Sequence, residues 1–105
     1  MRQETRLIKE ILKSKYPDKK FKFQYRTPST YYNSSDRLIV TCERYMDIDE
    51  VISFINKHVC GIKVFKYGSV ASIHSRHIAS EILSVNGEWI EAGLMEFIEV
   101  RNEYH

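Results

Sequence analysis

Lys20-Phe21-Lys22-Phe23-Gln24-Tyr25-Arg26 is the stretch on which the fold turns. Side chains alternate from one face of an extended chain to the other, so Phe21, Phe23 and Tyr25 share one face and Lys20, Lys22, Gln24 and Arg26 share the other. This is the period of a half-buried strand. Its aromatic face needs a cover, and the neighbouring segments supply one.

On the N-terminal side, residues 5–15 predict a helix: Leu7, Ile8, Ile11 and Leu12 form one apolar stripe, with Arg6, Lys9, Glu10 and Lys13 outside it. Pro17 stops that helix because the residue before a proline is pushed out of the helical region. Residues 28–36 read as a loop by their turn residues. Tyr31 and Tyr32 sit there among Ser and Asn, a mixture used by binding loops because tyrosine gives contact area at low entropic cost. The alternative is that both rings fold back onto the sheet.

Residues 37–43 form a second strand, Leu38, Val40 and Cys42 facing one way and Arg37, Ile39, Thr41 and Glu43 the other. Antiparallel pairing with the first strand is expected. Asp47 then caps a second helix, with Glu50 three residues on. Ile48, Val51, Ile52, Ile55 and Val59 recur at helical spacing, and Gly61 is the expected stop. Residues 62–67 return to strand. Residues 75–85 fit a helix capped by Ser75, yet Asn86-Gly87 signals a two-residue hairpin between residues 82–85 and 88–91, and the hairpin is preferred. Residues 94–101 fit a last strand by their β-branched and aromatic content, and their spacing also permits a helix. The expected fold is α+β: one antiparallel sheet of four or five strands with two helices packed on one face. Its expected core is Leu7, Ile8, Ile11, Leu12, Phe21, Phe23, Leu38, Val40, Val51, Ile52 and Ile55.

The 105 residues make one domain, able to bury roughly two-thirds of its unfolded surface without disulfides or metal. No apolar run is long enough to span a membrane. Charged residues at the start, where a signal peptide needs apolar ones, and only two cysteines point to a cytoplasmic setting. The net charge of +2 is unevenly spread. Residues 1–26 carry nine Lys or Arg against three acids, whereas residues 81–105 carry one Arg against six Glu. Either the surface is two-signed, which favours recognition of a protein or nucleic acid, or the two ends lie together and pair.

Candidate chemistry is sparse. Cys42, His58, Cys60, His74 and His77 carry metal-binding atoms, but no paired Cys-x-x-Cys knuckle accompanies them, and no metal or cofactor is expected. No motif joins a cysteine to a histidine as a catalytic dyad. Glu88, Glu91, Glu96 and Glu99 alternate with apolar residues and read as solvated strand faces. No glycine loop cradles a phosphate. The chain reads as a binding protein, not an enzyme. Lys20, Lys22, Arg26 and Arg37, with Tyr31 and Tyr32, are the candidate partner-binding residues. Arg6, Lys9 and Lys13 on the first helix would extend a phosphate-tracking surface if the partner were nucleic acid.

The run Ile8-Lys9-x-x-Leu12-Lys13-x-x-Tyr16-Pro17-x-x-Lys20-Phe21-x-Phe23 resembles the opening of the twenty-ninth of the large-polyvalent-protein-associated domains. Leu38-Ile39-Val40-Thr41 through Asp47-Ile48-Asp49-Glu50-Val51-x-x-Phe54-Ile55 is similar to that family in layout, as is Gly93-x-x-x-Phe97-Ile98-x-Val100-Arg101-x-x-Tyr104. The sequence departs from it at Cys42-Glu43-Arg44-Tyr45-Met46-Asp47 and through residues 62–90. The resemblance implies an α+β domain carried by phages and conjugative elements, in proteins thought to protect invading DNA or disarm host defences. It implies no catalytic residues. A stand-alone version would resemble a small anti-defence protein of the anti-CRISPR kind, whose partner is a host protein or ribonucleoprotein. A small nucleic-acid-binding module is the alternative.

Overall fold

The computed structural model describes residues 2–26, 36–68, 79–93 and 95–103. Their elements follow in the order α1 (Gln3–Lys15), β1 (Phe21–Arg26), β2 (Asp36–Cys42), α2 (Ile48–Asn56), β3 (Val59–Cys60), β4 (Lys63–Lys66), β5 (Glu81–Leu83), β6 (Trp89–Glu91) and β7 (Met95–Asn102). The α+β class is as expected, but the single antiparallel sheet is not. The strands form two sheets, a four-stranded one in the order β1-β2-β7-β4 and a three-stranded one in the order β3-β5-β6. β1 pairs antiparallel with β2, as expected, but β2 and β4 both run parallel to β7.

The cause lies in the connection. A helix between two strands returns the chain to the end where it began, so the second strand runs parallel to the first. β2, α2 and β4 are such a unit, opened by one strand position into which β7 inserts. The strand–helix–strand pattern of residues 37–67 carried that signal, and the antiparallel expectation passed over it.

Both helices cover one face of the large sheet. α1 buries Leu7, Ile8, Ile11 and Leu12, and α2 buries Ile48, Val51 and Ile55, against Leu38, Val40, Cys42, Ile98 and Val100 in one cluster. Each fully buried aliphatic side chain there contributes roughly 1.5–3 kcal/mol, so the stripe on each helix, not its propensity, holds it in place. Eight of the eleven expected core residues are fully enclosed; Phe21, Phe23 and Ile52 are only partly buried against the cluster. β1 is an edge strand, which leaves its aromatic side chains at the margin of the cover.

α2 starts as expected, the Asp47 carboxylate accepting from the backbone N–H of Asp49 and Glu50 at 3.0 and 3.3 Å. It ends sooner than its apolar spacing implies. Val59 pairs with Ile82 and Cys60 with Glu81, so the small sheet claims both residues and a ladder replaces the last helical turn. Gly61, with φ +75°, turns the chain out of β3 rather than out of the helix.

The expected hairpin forms, with a wider turn. Ser84 N–H donates to Glu88 O and Gly87 N–H to Ser84 O, leaving Val85-Asn86-Gly87 as a three-residue loop. Only Gly87 has positive φ, so the two-residue turn that needs two such residues is excluded. The arm expected over residues 82–85 is observed as Glu81–Leu83, and residues 75–78 of the ambiguous stretch lie outside the described part.

β7 carries one extra residue. Asp36 pairs with Met95 but Arg37 pairs with Phe97, so Glu96 is a bulge. The inserted residue resets the alternation, placing Met95 in the core beside Ile98 and Val100 while Phe97 turns to the opposite face.

Candidate functional site

The face of the large sheet that bears neither helix is built from three cross-strand rows. Register places Arg26, Arg37, Phe97 and Lys63 in the first row, and Gln24, Ile39, Glu99 and Phe65 in the second. Lys22, Thr41 and Arg101 form the third, closed by Tyr67, whose ring lies 5.1 Å from the Arg101 guanidinium. The face mixes bases with aromatic rings.

Glu99 and Glu103, two acids on this face, are both engaged. Glu99 is 5% exposed and accepts from Arg37 Nη1 at 2.5 Å. Glu103, just beyond β7, accepts from Lys22 Nζ at 2.6 Å. Arg26 stands directly opposite Arg37, a like-charged pair that destabilises a sheet unless something answers it. Glu99 answers Arg37. Arg26 has no ion-pair partner among the described residues. Arg101 donates from Nε to Thr41 Oγ1 at 3.1 Å, an arrangement that holds its guanidinium over Tyr67.

A depression of about 430 Å³ opens in this face, lined by Lys22, Phe23, Gln24, Thr41, Arg101, Asn102 and Glu103. A second, of about 490 Å³, lies between the start of α2 and the chain before β1, with Tyr16, Lys19, Glu43, Tyr45 and Glu50 in its wall. Tyr16 donates to Glu50 there at 3.1 Å, and burial followed by that bond pushes its hydroxyl up to about 12.

Of the residues singled out in the sequence, Lys22, Arg26 and Arg37 lie together on the helix-free face, and exposed Lys20 precedes β1 in the same alternation. Arg6, Lys9 and Lys13 do not join them. They are exposed on α1, which covers the other face, so the sheet itself separates the two basic groups. A single surface built from the first helix and first strand is thus not formed. Tyr31 and Tyr32, like His74 and His77, lie outside the described residues.

The sequence reading missed Arg101, Thr41 and Tyr67 as a group. They come from three strands, and only the parallel register of β2 and β4 on β7 brings them together. The signal available was the β-α-β pattern, which would have placed residues 62–67 beside the last strand.

The acidic C-terminal quarter is divided. Glu81 and Glu91 pair across β5 and β6, with Glu88 just before β6, in a different sheet from the one that carries the basic rows. The Lys22–Glu103 contact is one place where the basic and acidic ends meet. Cys42 is buried, and burial pushes its thiol up to about 12, which keeps it protonated and unsuited to nucleophilic attack. Cys60 is exposed on the small sheet. Among the described residues, no three of the His, Cys, Asp and Glu side chains converge on a point where a metal ion would sit. No helix among the described residues is long and apolar enough to cross a membrane.

No family model matches the chain, and neither a curated protein nor a solved structure does.

Proposed function

We propose that this chain is a non-enzymatic binding protein of a phage or other mobile element, acting in the cytoplasm on a host defence factor. The target would be a ribonucleoprotein such as a nucleic-acid-guided nuclease, and the working surface is the helix-free face of the large sheet. The sequence resemblance supports the setting. The surface is supported by one observation above the others: Glu99 and Glu103 on that face are each tied to a base, while Arg26 and Arg101 carry charge with no ion pair among the described residues. Charge of one sign on a folded surface steers a partner of the other sign and fixes its orientation.

The test is a cleavage assay with a guide-loaded host nuclease, adding the protein or its Lys22→Glu, Arg26→Glu, Arg101→Glu variant. Inhibition by the former and none by the latter is expected. Equal inhibition by both would remove this face from the mechanism.

A second reading, a direct nucleic-acid-binding module, is favoured by the aromatic residue set into the basic rows at Tyr67. Binding of labelled oligonucleotides that weakens steeply with salt is its expected signature, because each neutralised phosphate releases counterions.

A further inference from the structure

Resting on the second of those readings, we infer that the ligand of the helix-free face is a single-stranded polynucleotide. Its phosphates lie in the depression between Lys22 and Arg101, and one unstacked base lies on Tyr67. Three observations combine to give this. The row Lys22, Thr41, Arg101 and Tyr67 crosses four strands, about 14 Å at roughly 4.8 Å per strand. Four-stranded sheets that read single strands do so over two or three nucleotides, a span of this order.

The lining of the depression is suited to an anion. Lys22, Gln24, Thr41 and Arg101 all supply N–H or O–H donors. One acid intrudes, Glu103, through its contact with Lys22. That pair is exposed, with side chains 73% and 41% accessible, and such pairs are weak enough for a phosphate to replace.

Tyr67 selects the strandedness. It remains 48% exposed beside a guanidinium that orients its ring. A free base stacks on such a ring whatever its identity, because every base has a π-face. In a duplex those faces are already stacked, and duplex readers enter the major groove with a helix or a two-stranded ribbon. The broad face of a four-stranded sheet presents neither. An acidic peptide would satisfy Arg26 and Arg101 but would leave the aromatic position unused.

The experiment is fluorescence anisotropy with a labelled twelve-nucleotide single strand, DNA and RNA in separate arms, against a duplex of the same sequence. The protein is used whole, with Tyr67→Ala, Tyr67→Phe, Glu103→Gln and Arg101→Glu variants whose folding is checked by circular dichroism. The single strand should bind more tightly than the duplex. Tyr67→Ala should weaken it by about tenfold, within the range of one lost base stack, and leave the weak duplex binding unchanged. Tyr67→Phe should retain affinity, Glu103→Gln should bind more tightly at low salt, and Arg101→Glu should lose most binding. If Tyr67→Ala binds the single strand as well as the parent does, or the duplex binds equally, the stacking inference is wrong while the basic face stands. If the parent binds no polynucleotide in any arm but binds poly-glutamate, the nucleic-acid reading itself fails and the face belongs to an acidic protein.

Discussion

Nη1 of Arg37 stands 2.5 Å from Oε1 of Glu99, a carboxylate with only 5% of its surface in contact with solvent. The pair joins β2 to β7 and was legible from neither residue alone. A buried carboxylate that loses its counter-charge keeps its desolvation cost and loses the attraction. Arg37→Ala should therefore destabilise the domain by about 2 kcal/mol, below the usual range for a buried pair because the arginine is partly exposed. Arg37→Met with Glu99→Leu should cost less than Arg37→Ala alone. Urea unfolding of the three proteins checks the order, and a double variant worse than the single would contradict it.

Stability should fall on the alkaline side. Burial and then the bond to Glu50 push Tyr16 up to about 12, burial pushes Cys42 up to about 12, and burial with the Asp36 bond raises Tyr25. In each case the folded protein keeps a proton that the unfolded chain releases near pH 9 to 10. The folded state then binds more protons, so the slope of stability against pH is negative there. The contribution is complete below about pH 9 and is lost as pH climbs toward 12. Denaturation midpoints measured from pH 8 to 11 should decline, and Tyr25→Phe should make the decline shallower. A flat profile in the parent protein would count against these three groups.

Two glycines at positive φ should respond differently to alanine. Gly87, at +83°, has nothing within 4 Å of an added Cβ, so Gly87→Ala should carry only the backbone cost of about 1 kcal/mol. At Gly61, at +75°, the same Cβ would meet the Ala79 carbonyl oxygen at 2.9 Å. Gly61→Ala should be the more damaging by about 1–2 kcal/mol, since backbone must shift as well. Thermal melts of the pair settle the comparison.

The two cysteines should separate by accessibility. A brief exposure of native protein to iodoacetamide should modify exposed Cys60 and spare Cys42, which is enclosed between the helices and the sheet. After denaturation both should react. Peptide mass mapping distinguishes the sites, and modification of Cys42 in the native state would mean that the core opens readily.

Local elements were legible because their signals are local. The α1 stripe, the β1 alternation, the Asp47 cap and the Asn86-Gly87 turn each depend on neighbours a few positions apart. The arrangement of the strands depends on partners far apart in sequence: Leu38 with Ile98, and Val64 with the same Ile98. Periodicity says which face of β7 is buried but not which strands flank it, and the Glu96 bulge breaks even that alternation. Val59 illustrates the competition, since its helical spacing was real and its bond to the small sheet prevailed. The candidate site divides the same way. Lys22 and Arg26 could be read from β1, whereas Arg101 and Tyr67 become neighbours only once the parallel register exists.

β7 lies between β2 and β4, yet it is the last of the described strands. During synthesis the ribosome delivers both flanking strands before the one that joins them. Until residues 95–102 emerge, β2 and β4 each present an unsatisfied edge, and the cluster lacks Ile98 and Val100. Folding must therefore wait for nearly the whole described sequence, and long-range parallel pairing is slow to nucleate in any case. A nascent chain in this position depends on whatever shields exposed strand edges in its host, which ties the yield of the fold to the rate at which the codons for residues 95–102 are read.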